Sequence, residues 1–408
     1  MKHVGIITEY NPFHNGHAYQ LQKVQELFPD KQRIVIMSGN YVQRGEPAIF
    51  NKYLRTECAL TSGANIVFEL PLLGALSSAE HFAATAVLSL HKTGVVDTLC
   101  FGAETNDINA LTQIADIFVS EPPKYKEALQ TNLKTGISFP KARAKALATC
   151  LENCSYWEEL INQPNNILAI EYLKTIKKYQ LGITPIIIKR VGNGYHNPNL
   201  DCMFSSASAI RKHMVTDTKV WESFIPETAK CLLSQSEYTK PIFVSDFYNY
   251  LQYAIWQNAS NLDHFHEVSK DLANRITNIT QYPMTHDALL DLIRNKNYTN
   301  TRLQRALLNI ILGITKEELN LHRNMHYTPY LRLLGFAPNA SSILKDMKKQ
   351  STIPVINKVA HADKILSKTS YDLFQKELYR NRLYEQVFYN KYGISVPTEQ
   401  EHTVIISE

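Results

Sequence analysis

The stretch Gly5-Ile6-Ile7-Thr8-Glu9-Tyr10-Asn11-Pro12-Phe13-His14-Asn15-Gly16-His17 constrains the fold of this chain more than any other. A short apolar run at residues 4–7 stops at a polar loop carrying Asn-Pro, and His-x-Gly-His then opens an amphipathic segment through Ala18, Tyr19 and Gln20. The pattern predicts strand, loop, helix. The free N–H groups and dipole of a helix N-terminus form an anion site, and two imidazoles placed there face whatever anion binds. Gly16 has no side chain, so a flat base or a phosphate can come close to the backbone. The arrangement suits a nucleoside triphosphate attacked at its α-phosphate. Taken alone, the four residues more often describe an ordinary helix start with two surface histidines.

Residues 33–40, 65–71, 98–102 and 184–190 read as further short strands, and residues 51–62 and 78–91 as amphipathic helices between them. This alternation predicts a parallel sheet with helices on both faces, which binds ligands at the carboxyl ends of its strands. Residues 106–180 read as mostly helical. After the last strand and a polar loop at 192–199, Phe204-Ser205-Ser206-Ala207-Ser208-Ala209-Ile210-Arg211 forms a second helix start, rich in hydroxyls and ending in a cation. From residue 217 long helical segments dominate, with two short apolar runs at 330–336 and 353–359 as candidate strands and a frayed tail from Pro397.

Length and charge narrow the class. A chain of 408 residues exceeds one ordinary core, no apolar run approaches the ~20 residues of a membrane span, and no signal peptide precedes the first strand, so a cytoplasmic protein is expected. The six cysteines show no CxxC pair and predict no metal site. Net charge is +5 overall, but residues 291–391 carry 17 Lys plus Arg against 8 Asp plus Glu. A basic C-terminal part points to a polyanion, although a solvated helical surface has the same composition.

The two helix starts together resemble the nucleotidylyltransferase superfamily, His14 to His17 matching its HxGH motif and Ser205 to Arg211 its Ser-Ser-x-x-Ile-Arg type of motif. The longer segments GIITEYNPFHNGH at 5–17, SGNYVQRGEPA at 38–48, PNNILAIEY at 164–172 and SSASAIR at 205–211 are similar to the bacterial tRNA(Met) cytidine acetate ligase family. The resemblance implies a Rossmann-like α/β domain at 1–216 for ATP and acetate, followed by a mostly helical, basic tRNA-binding domain at 217–408. It implies acetyladenylate formation, with His14 and His17 stabilising charge at the α-phosphate, then acetyl transfer to the wobble cytidine of elongator tRNA(Met), giving N(4)-acetylcytidine.

Carried over by resemblance, the ATP site comprises Ile7, Thr8, Glu9, Tyr10, Asn11, Pro12, Phe13, His14, Asn15, Gly16, His17, Ala18, Tyr19, Gln20, Gly102, Asn165 and Arg190, with Ser205, Ser206 and Arg211 from the second motif. Gly102 also reads as a turn glycine, Asn165 as a helix cap beside Pro164, and Arg190 as a surface ion pair. Arg44, Lys52 and Arg55 are candidates for the leaving pyrophosphate. The end of the second strand, Ser38, Gly39 and Asn40, is the expected acetate pocket, with backbone N–H groups holding the carboxylate. Arg302, Arg305, Arg332, Lys348 and Lys349 are expected to meet tRNA, and Tyr327 and Tyr330 read as base-stacking or core residues. ATP is expected as a substrate together with Mg²⁺, with no tightly bound cofactor, no protein metal site, and neither a membrane nor DNA as partner. The rival readings are an adenylyltransferase acting on a cofactor precursor and a non-catalytic nucleotide- or RNA-binding protein.

Overall fold

In the computed structural model, described for residues 2–407 apart from 152–153, 191–203, 217–218, 236, 281 and 283, ten strands are present among the described residues. They are β1 (His3–Thr8), β2 (Arg33–Ser38), β3 (Tyr41–Val42), β4 (Glu46–Pro47), β5 (Ile66–Leu70), β6 (Val96–Ala103), β7 (Thr184–Lys189), β8 (Leu331–Phe336), β9 (Val355–Ile356) and β10 (Ile405–Ile406). Eight of them form one sheet in the order β10-β8-β5-β2-β1-β6-β7, with β9 beside β8. β5, β2, β1, β6 and β7 are parallel, while β8 is antiparallel to β5. β3 and β4 make a separate hairpin.

Both faces of the sheet are covered, which is why its strands read as unbroken apolar runs. Along β2, Ile34 and Ile36 enter one core with Phe68, Phe82 and Phe101, whereas Val35 and Met37 enter the other with Val4, Leu21 and Val24. From β1 the chain winds one way through β2 to β5 and returns the other way through β6 to β7. The crevice at this reversal, between the carboxyl ends of β1 and β6, is where such sheets hold ligands.

Three expectations change here. The sheet does not stop at residue 216: β8, β9 and β10 all join it from the C-terminal half, so the boundary at 216 does not separate sheet from helices. Nor is the segment from Pro397 frayed. β10 pairs with β8, and Glu399 is buried among Lys52, Tyr53 and Arg332. A carboxylate shared by two buried cations is a strong anchor, because without it Lys52 and Arg332 would have Glu69 alone between them in a dry environment. The strand expected at 353–359 shrinks to Val355–Ile356, and the loop expected at 192–199 lies outside the described residues.

Candidate active site

β1 ends at Thr8, and α1 (Asn15–Leu27) begins after six intervening residues with His14 as its N-cap. The loop between them contains Tyr10 at φ 48° and a cis Asn11–Pro12 peptide. His14 accepts a hydrogen bond at Nδ1 from the Gly16 amide (3.0 Å), and His17 accepts at Nδ1 from the His14 amide (3.3 Å). The two histidines thus close a capping box usually built from hydroxyl and carboxylate side chains. With each Nδ1 used as acceptor, each neutral imidazole carries its proton on Nε2. The rings stack with centroids 3.7 Å apart, so two N–H donors leave the helix start side by side.

Burial, followed by the charges of Arg190 and Arg211, lowers His14 to about 3; burial, His14 and Arg190 hold His17 well below its usual range. Both rings are therefore neutral donors at physiological pH. A Cβ on Gly16 would stand 2.9 Å from His14 Cε1, so this position admits only glycine without disturbing the imidazole.

The other motif residues assemble around this pair. Arg211, in the helix Ala207–Val215, donates from Nη1 to the Asn11 carbonyl (2.9 Å), and its Nε lies 3.4 Å from Glu46. Ser206 caps that helix by accepting from the Ala209 amide, while the buried Ser205 Oγ has no hydrogen-bond partner among the described residues. Arg190 follows β7, and its aliphatic stem passes over Gly102 in β6, where an added Cβ would make ordinary contact at 3.4 Å. Gly102 is thus a strand residue beneath the Arg190 side chain, not a turn glycine. Asn165 lies in the first turn of the helix Pro164–Lys178 and donates from Nδ2 to Glu104 (2.6 Å). Glu104 also accepts from the amides of Asn165 and Asn166, supplying the cap that Gln163 lacks.

Within the N-terminal run, Ile7, Tyr10 and Phe13 turn their side chains into the cores, leaving their backbone toward the crevice. Asn11 spends its Oδ1 on the Ile49 amide (2.7 Å), and Glu9 accepts from the Gln43 amide (2.7 Å). Thr8, Pro12, Asn15, Ala18, Tyr19 and Gln20 complete the loop and first turn.

Arg55 and Lys52 are not phosphate ligands. Arg55, in α2 (Lys52–Thr61), is buried and donates to four backbone carbonyls: Phe50 (2.9 Å), Glu9 (2.7 Å), Ser38 (2.9 Å) and Gly39. It ties the β1 loop to the end of β2. In a trans peptide the C=O and N–H point in opposite directions, so the amides of Tyr10, Gly39 and Asn40 face away from the guanidinium. None of the three has an acceptor among the described residues. Lys52 is buried between Glu69 (2.8 Å) and Glu399 (2.7 Å). The Asn40 side chain is engaged by Lys52 N and Asn381, leaving its amide alone for a ligand, and Ser38 Oγ is buried without a partner among the described residues.

Two of the five cations expected to meet RNA are structural. Arg305 binds both oxygens of Glu267 through Nε (3.0 and 2.9 Å), and Arg332 lies buried against Glu69 and Glu399. Arg302 lies over the Tyr298 ring at 4.8 Å, and Lys348 and Lys349 are exposed. Tyr330 is core, donating to Glu377 (2.6 Å). Sequence reasoning passed over Glu104, Glu46 and Gln43. Glu46 and Gln43 lie within the 38–48 segment already singled out, but only the folded hairpin brings them to Arg211 and Glu9.

Comparison with known proteins shows the family. The family described as HIGH Nucleotidyl Transferase matches residues 1–395. A tRNA(Met) cytidine acetate ligase from Thermoanaerobacter sp. (strain X514) is 40% identical over 390 residues, covering 95% of this chain and 96% of the relative. One from Acetivibrio thermocellus is 39% identical over 368 residues, covering 88% and 89%. The crystal structure of Thermotoga maritima TmcAL (apo, form I) superimposes with a TM-score of 0.91 at 30% identity over 100% of both chains, and the form bound with alpha-thio ATP with 0.89. The chain belongs to the HIGH nucleotidyl transferases and, within them, to the tRNA(Met) cytidine acetate ligase family.

Proposed function

We propose that this enzyme activates acetate with ATP and acetylates the wobble cytidine of elongator tRNA(Met), the reaction for which its relatives are named. In the first step an acetate oxygen attacks the α-phosphorus, acetyladenylate forms and pyrophosphate leaves. In the second, the cytosine exocyclic amine attacks the acetyl carbonyl, AMP leaves and the amine gives up one proton.

The observation that carries this reading is the neutral imidazole pair of His14 and His17, each with Nδ1 bound to the backbone and Nε2–H as donor. Donors fixed before reaction stabilise charge developing on the α-phosphate without reorganising, and losing one such donor typically costs ~10²–10³ in rate. Arg190 and Arg211 bring cationic charge to the same place, and Ser205 and Ser206 at a helix start supply donors for the β- and γ-phosphates. Mg²⁺ arrives as the partner of the triphosphate. Acetate is already ionised at neutral pH and needs no general base. Its carboxylate sits on the amides of Gly39 and Asn40 with the Ser38 hydroxyl, beside the crevice. Arg302, Lys348 and Lys349 remain available for RNA phosphates.

The test is exchange of labelled pyrophosphate into ATP with and without acetate. Exchange that requires acetate supports the ligase, acetate-indifferent exchange supports a cofactor adenylyltransferase, and no exchange supports a non-catalytic binding protein.

A further inference from the structure

Beside the crevice, Arg302, Arg305, Arg323 and the imidazoles of His81 and His266 gather near Glu267, which pairs with Arg305, and near Glu80, which lies beside His81 and pairs with Lys174. His81 lies in the first turn of the helix Ala79–Lys92 and is buried. Arg323, exposed at the end of the helix Lys316–Asn324, donates from Nε to His81 Nε2, an imidazole nitrogen instead of a carboxylate. His266 has a buried Nε2 with no hydrogen-bond partner among the described residues. Its nearest carboxylate, Glu267 at 3.9 Å, is already held by Arg305. Arg302 lies over Tyr298 on the helix Asn300–Ile311, and neither Arg302 nor Arg323 forms a salt bridge among the described residues. After burial, the groups that lower His266 to about 3 are His81, Arg305, Arg323 and Arg302, which places all five within one electrostatic neighbourhood.

The cluster is continuous with the candidate active site. Arg305 donates from Nη1 to the Gln43 carbonyl (3.3 Å), and the Gln43 amide donates to Glu9 in the β1 loop. Gln43 Nε2 also donates to the Ser77 carbonyl (3.2 Å), just before the helix that carries His81. Gly45, at φ 80°, lets the β3–β4 hairpin press against the backbone of Arg305, where a Cβ would stand 2.3 Å from the amide nitrogen. The three guanidinium groups, of which Arg305 alone is paired with a carboxylate among the described residues, repel one another, and an anion shared among them removes the penalty. The half-buried Tyr327, edge-on to His81 at 5.3 Å, adds an aromatic surface.

We propose that Arg302 and Arg323, backed by the buried His81 and by His266, form a phosphate-binding patch that holds the RNA backbone next to the nucleotide being acylated, an inference that rests on the reading of this enzyme as an RNA acyltransferase. The patch differs from the surface expected from sequence: of the five cations named there it keeps only Arg302, and it recruits Arg323 and two histidines that no charge count reveals.

The experiment uses the full chain with R323E and R302E, on two different helices. Binding of transcribed tRNA(Met) is measured across salt concentration, alongside acetate-dependent pyrophosphate exchange and thermal midpoint. Each variant is expected to bind tRNA about tenfold more weakly near 0.1 M salt and to lower the log–log salt slope by about one, with exchange within twofold of wild type. Unchanged affinity and slope in both variants, while wild type binds and acetylates tRNA, overturns the patch alone. Exchange and thermal midpoint falling in step with affinity also overturns it, because the residues are then structural. Failure of the wild type to bind tRNA at all overturns the functional reading and the patch with it.

Discussion

Replacing Arg55 by methionine removes four hydrogen bonds at once while keeping most of the side chain's bulk. The carbonyls of Glu9, Ser38, Gly39 and Phe50 are left without donors, in a site from which burial has already lowered the guanidinium pKa to about 10. A bare buried acceptor costs about 1–3 kcal/mol, and the four relax together, so a loss of about 3–5 kcal/mol, as for a broken buried charge network, is expected. With unfolding entropy near 2.1 cal/mol/K per residue, that lowers Tm by about 4–6 °C for a chain of this length. The functional effect is selective. Once the Ser38 and Gly39 peptides are free to rotate, their amides no longer converge, and KM for acetate in pyrophosphate exchange rises at least about tenfold, more than KM for ATP. R55K keeps the charge with fewer donors and falls between the two. An R55M enzyme with wild-type Tm and an unchanged KM for acetate would falsify the argument that these carbonyls are held for a purpose.

H14A and H17A each reduce exchange by ~10²–10³ while leaving tRNA affinity near wild type, checked by exchange and filter binding. Because the folded-state pKa of His14 is lowered to about 3, the unfolded chain binds more protons between about pH 6.5 and 3, and stability falls as pH drops through that window. H14A should show a shallower decline in urea midpoint over the same range, and a slope equal to wild type would count against a buried neutral ring. E399Q leaves Lys52 and Arg332 under-neutralised and should destabilise by about 3–5 kcal/mol in denaturant titration, although the residue touches no substrate. G39A is a poor probe of acetate binding, since its Cβ would meet Glu69 Oε1 at 2.3 Å; Tm is expected to fall along with any change in KM.

The two helix starts that meet at the crevice were legible because they are local. An HxGH start and an SSASAIR start each announce a helix N-terminus within a few residues, and strands buried on both faces leave continuous apolar runs. What stayed hidden depends on distant partners. Lys52 and Arg55 look like phosphate ligands in the sequence, yet Lys52 is paired with Glu69 and Glu399, and Arg55 donates to carbonyls from three segments. Arg302 and Arg305 are three apart on one helix, but only Arg305 meets Glu267, 38 residues upstream. The β3–β4 hairpin, with strands of two residues each, is too short for periodicity to reveal. The domain boundary at 216 followed a change in texture, whereas the sheet is completed by segments beyond 330.

The pairing of Tyr53 with Glu399 spans 346 residues of sequence, and it sets an order of events during synthesis. β1, β2 and β5 emerge early and can pair at once, but Arg332 and then Glu399 reach them only after most of the chain has been made. Until then Lys52 has Glu69 alone, and the edge of β5 is open. Long-range closures of this kind are slow, and an uncovered strand edge is where partly made chains stick to one another. A nascent chain that has already paired its early strands therefore still depends on β8 to cover the edge of β5, and on β10 to cover β8 in turn, which makes folding yield a quantity sensitive to changes near residue 400.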